Sequence, residues 1–555
     1  MNAALIAILT LAIFGIAYRF YSHFLAEKIF QLREDEPVPS VEHRDDIDFV
    51  PTPKAVLWGH HYTSIAGAAP IVGPALAVIW GWVPALIWVV LGTIAMGATH
   101  DFGSMVISLR HHGRSIGEIS GEVISPRVRV LFLLIISFLI WIVLAVFAFI
   151  IGKLFVSNPG AIFPINVQII VALLLGWLVY RAKVKIFLPS LVAFAFLLTA
   201  VFYGNAFAAA FPVITTLTVT HWVWILLIYA FVASVLPVWM LLQPRDYLNS
   251  HQLILGLGLL ILGLLVLQPT VVAPAFNLHP EGAPPMLPFL FITIACGAIS
   301  GFHGLVSSGT TSKQVACMTD ARPIGYGAML GEGSLGMLAV LASTAGFKTH
   351  AEWSTHYASW SEASGLGPKL DAFVSGGASF IAALGIPVDT GKTFIAVMVI
   401  AFAATSLDTG ARIQRLVIEE LANSYGLKPL SNRYVAGAIG IGLALLLAIT
   451  QGNGKGGLIL WPLFGTTNQL VAGVTLLVLS VWLAKLNRPN WPTLLPMFLV
   501  ATVTFFAMLN NLWGYIQDGN WLLTAIGGTI LILDVWVLLE GFAVLRSLRT
   551  ARTSN

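Results

Sequence analysis

Long apolar runs separated by short polar connections cover most of this chain. Runs of bilayer-crossing length, about 17–25 residues, fall near 3–22, 58–80, 82–100, 127–152, 163–180, 186–209, 221–242, 250–268, 286–305, 326–346, 390–408, 433–450, 460–484, 492–513 and 521–545. A shorter run, 370–386, is too brief to cross comfortably and reads as a candidate re-entrant segment. The pattern predicts an all-α polytopic membrane protein of about fifteen transmembrane helices.

Composition agrees. Of 555 residues, 57% are hydrophobic and only 10% charged, with mean hydropathy +0.87; soluble domains carry about a quarter charged residues. The lipid bilayer is therefore the expected surroundings. A net charge of +4 is too small to imply a nucleic-acid partner. Cys296 and Cys317 lie in or beside apolar segments and read as small buried hydrophobes rather than a disulfide. The first run, Asn2 to Phe20, lacks a basic leader and a small-residue cleavage site, so it is expected to stay as a span.

Lys and Arg collect in cytoplasmic loops, and here every second connection is basic. Arg110 with Arg114, Arg181 with Lys183, Arg245, Lys313 with Arg322, Arg412 with Arg415, Lys485 with Arg488, and Arg546 with Arg549 mark one side. The connections between them carry little beyond Lys153, Lys348, Lys369 and Lys455. The alternation places the N-terminus outside and the C-terminus in the cytoplasm. The polar loop 26–50 is acidic and is expected to be a solvated face. RHHGRSIGEISGE, 110–122, reads as an interfacial amphipathic helix; its His111 and His112 could hold metal, but headgroup contact explains them more simply.

Two spans are interrupted. HHYTSIAGAAPIVGP (60–74) carries Gly67, Pro70, Gly73 and Pro74, and ASVLPVWMLLQPRDY (233–247) carries Pro237 and Pro244. Counted from 58–80, the second lies five spans later and so enters from the opposite side, the signature of an inverted-repeat secondary transporter. The expected units are 1–57, an N-terminal span with its acidic loop; 58–210, the first repeat; 211–425, the second repeat and following helices; and 426–555, the C-terminal spans. Half-helix N-termini at the breaks attract an anionic group, and freed carbonyls can hold a cation. His61, Ser64, Gly67 and Trp239 are the candidate substrate residues.

CGAISGFHGLVSSGTTSKQ, 296–314, sets Gly304, Ser307 and Ser308 on one helix face. With carbonyls around Ser64–Gly67 these hydroxyls could form a sodium-type site, which the Lys313 ammonium could instead fill; the other reading is local hydrogen bonding. Intramembrane ionisable groups are functional candidates by default: His60, His61, His100, Asp101, His303, Glu332, Asp389, Asp408 and Asp534. Asp408 could pair with Arg412 one turn along, or carry a coupling proton. In LWPLFGTTNQL, Asn468 and Gln469 could bond across helices or reach a cavity.

GHHYTSIAGAAPIVGP, HDFGSM, HGRSIGE, LPVWMLLQPRDYL, FITIACGAISGFHGLVSSGTTSKQ, DARPIGYGAMLGEG, ATSLDTGARIQR and LWPLFGTTNQL, in this order from Trp58 to Leu470, together resemble the carbon starvation protein A family of bacterial and archaeal transporters attributed to peptide and pyruvate uptake. The resemblance implies a leucine-transporter-like core of the amino acid–polyamine–cation superfamily in the prokaryotic inner membrane. Its pattern often carries Gln where His100 stands, which argues against His100 as an essential proton carrier. The expected function is import of pyruvate or short peptides by alternating access, driven by a proton or sodium gradient, with no cofactor. A nutrient sensor on a transporter fold and a channel are the alternatives. An enzyme is not expected, since no HExxH accompanies the candidate residues.

Overall fold

In the computed structural model, which describes residues 1–449 and 456–553, the architecture is helical throughout the described residues. Eleven helices are long and apolar enough to cross a membrane, or twelve if the bent pair Lys54–Ile65 and Ala69–Trp80 counts as one span. Several of the expected fifteen windows are therefore shorter pieces: Val219–Val235 and Arg433–Ile449 fall below spanning length, and 286–305 is divided. The run 370–386 falls mostly in helix Leu366–Ala382, which packs against 242–267, 318–345 and 388–424. Lys455 lies outside the described residues.

Helix starts follow local chemistry. The Asn2 side-chain oxygen accepts from Ala4 N–H at 2.8 Å and caps the first span, Ala3–Ile29. Ser125 caps Pro126–Ser157, whose proline occupies the first turn, where no N–H partner is missed. That helix is apolar all round and buried over most of its length, as a central helix should be. It packs along Val388–Ser424 and Gly456–Lys485. The hairpin Pro159–Tyr180 and Phe187–Ala210 is peripheral and exposes Phe196, Phe202 and Tyr203, in keeping with a lipid-facing surface.

The first break is where the sequence places it. Lys54–Ile65 ends at Ala66, whose ψ of 58° leaves the helix, and the chain resumes at Ala69 after a bend of 47°. Pro70 falls in the first turn of the new half-helix.

The second break is not at 233–247. Val219–Val235 simply ends there, Pro237 lies in the connection, and Pro244 sits in the first turn of Leu242–Leu267, where its missing N–H leaves no helical bond unmade. The interrupted segment is instead Met286–Thr293 followed by Gly301–Thr311, with non-helical chain from 294 to 300. Gly297 has φ +97°, a conformation that suits glycine and marks this break. The two breaks meet: a Cβ on Gly73 would lie 2.3 Å from the Thr293 carbonyl oxygen, and one on Gly297 3.4 Å from Pro70.

Candidate functional site

Three of the expected substrate residues line the first break. Ser64 Oγ lies 3.2 Å from Thr409 Oγ1, and the Ser64 carbonyl accepts from Ser406 Oγ at 3.1 Å. A Cβ on Gly67 would come within 2.7 Å of Ser406 Oγ, so glycine permits this close approach. His61 Nδ1 lies 2.9 Å from Thr311 Oγ1, and its Nε2 is buried without a partner among the described residues. Trp239 is not brought to this group. Its indole N–H donates to Asp46 O at 3.1 Å, and its ring packs on Tyr180 and under Arg181, in the connection 236–241.

The cation residues expected at 304–313 are mostly committed elsewhere. Ser308 Oγ donates to Gly304 O at 2.7 Å and accepts from Ile116 N–H at 3.1 Å. Gly304 packs against His100, Lys313 places its ammonium over the Phe49 ring at 5.4 Å, and Ser307 Oγ is buried without a partner among the described residues. No hydrogen bond links Ser307 or Ser308 to 64–67 among the described residues. The hydroxyls that reach that break belong to Ser406 and Thr409, on the helix Val388–Ser424.

Beside the second break lies a fully buried ionisable cluster. His303 Nδ1, in the second half-helix, is 3.2 Å from Asp101 Oδ2 and 3.3 Å from Glu332 Oε2. His100 Nδ1 is 2.8 Å from Asp101 Oδ1. Two carboxylates around one imidazole cannot all be charged without cost in a low-dielectric interior. The cluster is therefore able to hold or release a proton.

A second buried network departs from expectation. Asp408 does not pair with Arg412. It pairs with Arg245 and accepts from the Tyr229 hydroxyl at 2.7 Å. Arg245 continues to Asp246 at 2.8 Å, and Asp246 reaches His60 Nδ1 at 2.6 Å. Arg412 turns the other way and, with Arg415, binds Asp48 of the acidic loop. That loop is accordingly more than a solvated face: Glu36 also forms a two-point bond to Arg110 at 2.8 and 2.9 Å. Burial alone would raise the Asp48 carboxyl, but Arg412, Arg415 and Lys313 outweigh it and hold the group well below the usual carboxylate range. At the exposed end of the same loop, Glu42, His43 and His112 lie within 4.8 Å of one another and form a donor set able to hold a metal ion.

Asn468 bonds across helices to the second break. Its Oδ1 accepts from Phe302 N–H at 2.9 Å, and its Nδ2 lies 2.9 Å from Ser300 Oγ. Gln469 Nε2 donates to Phe291 O at 2.6 Å. Sequence reasoning did not single out Arg245, Asp246, Ser406 and Thr409 as site residues. The polar triplet of LQPRDY and the hydroxyls of TSLDTG were the available signals.

The profile of the carbon starvation protein CstA family matches residues 2–351 and 345–507. The chain is 34% identical to the Bacillus subtilis peptide transporter CstA over 98% of this chain and 96% of that protein. It is 32% identical to the Campylobacter jejuni peptide transporter CstA, covering 95% and 82%. It is also 32% identical to the Escherichia coli pyruvate/proton symporter BtsT, covering 92% and 81%. In fold it is similar to the Eremococcus coleocola manganese transporter, with TM-score 0.50 at 13% identity over 91% of this chain and 99% of that one. These likenesses and the apolar helices make it a multi-pass membrane protein, and the chain belongs to the carbon starvation protein CstA family.

Proposed function

We propose that this protein is a secondary active transporter that imports a small carboxylate-bearing nutrient, pyruvate or short peptides, together with protons. The observation that carries this reading is His303, held between Asp101 and Glu332 directly after the second helix break. A proton taken up there changes the charge of a buried site beside the point where the two breaks touch, which couples protonation to the geometry of the breaks. The BtsT relative, a pyruvate/proton symporter, supports the proton over sodium as the coupling ion. His61, Ser64 and Gly67 contact the substrate in this reading; Ser406 and Thr409 position the first break.

Alternating access rests on an inverted repeat. The pattern of helix contacts supports one in which 54–80, 82–110, 126–157, 219–235 and 242–267 correspond to 286–311, 318–345, 388–424, 433–449 and 456–485. Helix 242–267 packs on the first half of 54–80, and 456–485 packs on 286–293 as well as on 301–306. The second half of 54–80 packs on 318–345, as 307–311 packs on 82–110. The short helices 219–235 and 433–449 lie against 126–157 and 388–424 respectively, and against each other. The hairpin 159–210 is then an insertion, and the boundary between repeats falls after 267 rather than at 210. The charge alternation sets the N-terminus outside and the C-terminus in the cytoplasm.

The test is uptake of labelled pyruvate and a labelled dipeptide into proteoliposomes under separately imposed proton and sodium gradients. Uptake driven by the proton gradient alone is expected. Absence of uptake of either compound, with folded protein in the membrane, overturns the reading.

A further inference from the structure

A cavity of about 720 Å³, of ligand-pocket size, opens onto both helix breaks. Ala69, the first residue after the first break, and Cys296, inside the second, both line it. Its walls are largely apolar and aromatic, Phe289, Trp461 and Phe464 among them, and one of them carries Lys369.

Lys369 is unusual for its place. It is only 4% exposed, in the first turns of Leu366–Ala382, and its ammonium lies 5.1 Å from the centre of the Trp461 ring. Among the described residues no carboxylate comes within ion-pair distance of it. Asp518, a carboxylate on the same cavity, is exposed at the rim and forms no ion pair with it. A lysine with only a packing role buries its methylene stem and lets the ammonium snorkel into bulk water. Here the ammonium is instead retained inside a pocket, where an unpaired charge is costly unless something completes it. The aromatic face of Trp461 compensates only in part.

We propose that Lys369 captures the carboxylate of the incoming substrate in this vestibule, before the carboxylate reaches the breaks. The inference rests on the transporter reading above, in which the end of helix Leu366–Ala382 that carries Lys369 faces outward. The ammonium supplies a point charge for the carboxylate, and the aromatic walls take the substrate's apolar body. The carboxylate of pyruvate and the C-terminal carboxylate of a peptide present the same chemistry to it.

The test compares wild type, K369M and K369R in proteoliposome uptake and in equilibrium binding to purified protein. The probes are pyruvate, a dipeptide and the same dipeptide with its C-terminus amidated. For K369M we expect KM and Kd for pyruvate and the dipeptide to rise roughly 10- to 100-fold. Maximal rate should change little, K369R should keep most of the affinity, and binding of the amidated dipeptide should be the same in K369M as in wild type. A rise for only one of the two carboxylates identifies which substrate uses the site. Wild-type uptake with unchanged KM in K369M overturns this inference alone, as does an equal loss for the dipeptide and its amide. A wild type that neither binds nor transports either carboxylate overturns it together with the transporter reading.

Discussion

The imidazole of His303 and the carboxylate of Glu332 lie 3.3 Å apart with neither side chain exposed, at the foot of the second broken helix. Asp101 approaches the same imidazole nitrogen at 3.2 Å. One proton more or less changes the charge of the whole group, with no solvent near to screen the difference. The group thus has the properties a coupling site needs.

Glu332→Gln fixes one member in a neutral form of nearly the same shape. The initial rate of proton-driven uptake should fall at least about tenfold, a barrier change near 1.4 kcal/mol. Exchange of labelled for unlabelled substrate, which needs no net proton movement, should survive. Loss of exchange and accumulation together would assign Glu332 to substrate binding or folding instead.

Gly67→Ala drives a methyl group to 2.7 Å from Ser406 Oγ and 3.2 Å from Phe147. Overpacking of this kind costs about 1–3 kcal/mol. A lowered Tm is expected, measured in detergent, together with impaired uptake. Adding Ser406→Ala should recover part of the Tm, because one of the two clashes is then removed.

Asp48 ties the acidic loop to Arg412 and Arg415 at distances down to 3.0 Å for Arg415. Asp48→Asn leaves two guanidinium groups facing a neutral amide and should cost about 3 kcal/mol at neutral pH. Since the folded carboxyl is held below its ordinary value, its stabilisation is present above the unfolded pKa of about 4. It is lost as pH falls below that point through the folded pKa. The difference in Tm between wild type and D48N should therefore be full at pH 7 and shrink as pH drops below about 4.

Asn468 satisfies the Phe302 N–H at the start of the second half-helix, at 2.9 Å. Asn468→Ala leaves that donor unpaired in a buried place and should lower stability by about 1–3 kcal/mol. Asn468→Asp keeps the acceptor, so its helix start should remain intact while Ser300 loses an amide partner.

Much of the helical framework was legible because span length and loop charge are read directly from composition. The first break was legible too, since Gly67 and Pro70 sit inside an apolar run. The second was misplaced because proline is ambiguous: Pro237 and Pro244 end and begin helices, whereas the true break uses glycines of CGAISG, with Gly297 at φ +97°. The count of spans came out too high because the short helices Val219–Val235 and Arg433–Ile449 are apolar too, and nothing in the apolarity of the hairpin 159–210 marks it as peripheral. Among site residues, hydrogen-bond chemistry misled least where the partner was local, as for Ser308 and Gly304. It misled most for Asp408, where Arg412 is one turn away in sequence but Arg245 is the partner in space.

Proton symport is tested most directly with a pH-sensitive dye sealed inside proteoliposomes that start with no gradient. Substrate added outside should acidify the lumen, in wild type but not in protein-free liposomes or Glu332→Gln. Labelled substrate entering wild-type vesicles while the lumen keeps its pH would contradict a proton-coupled cluster at His303.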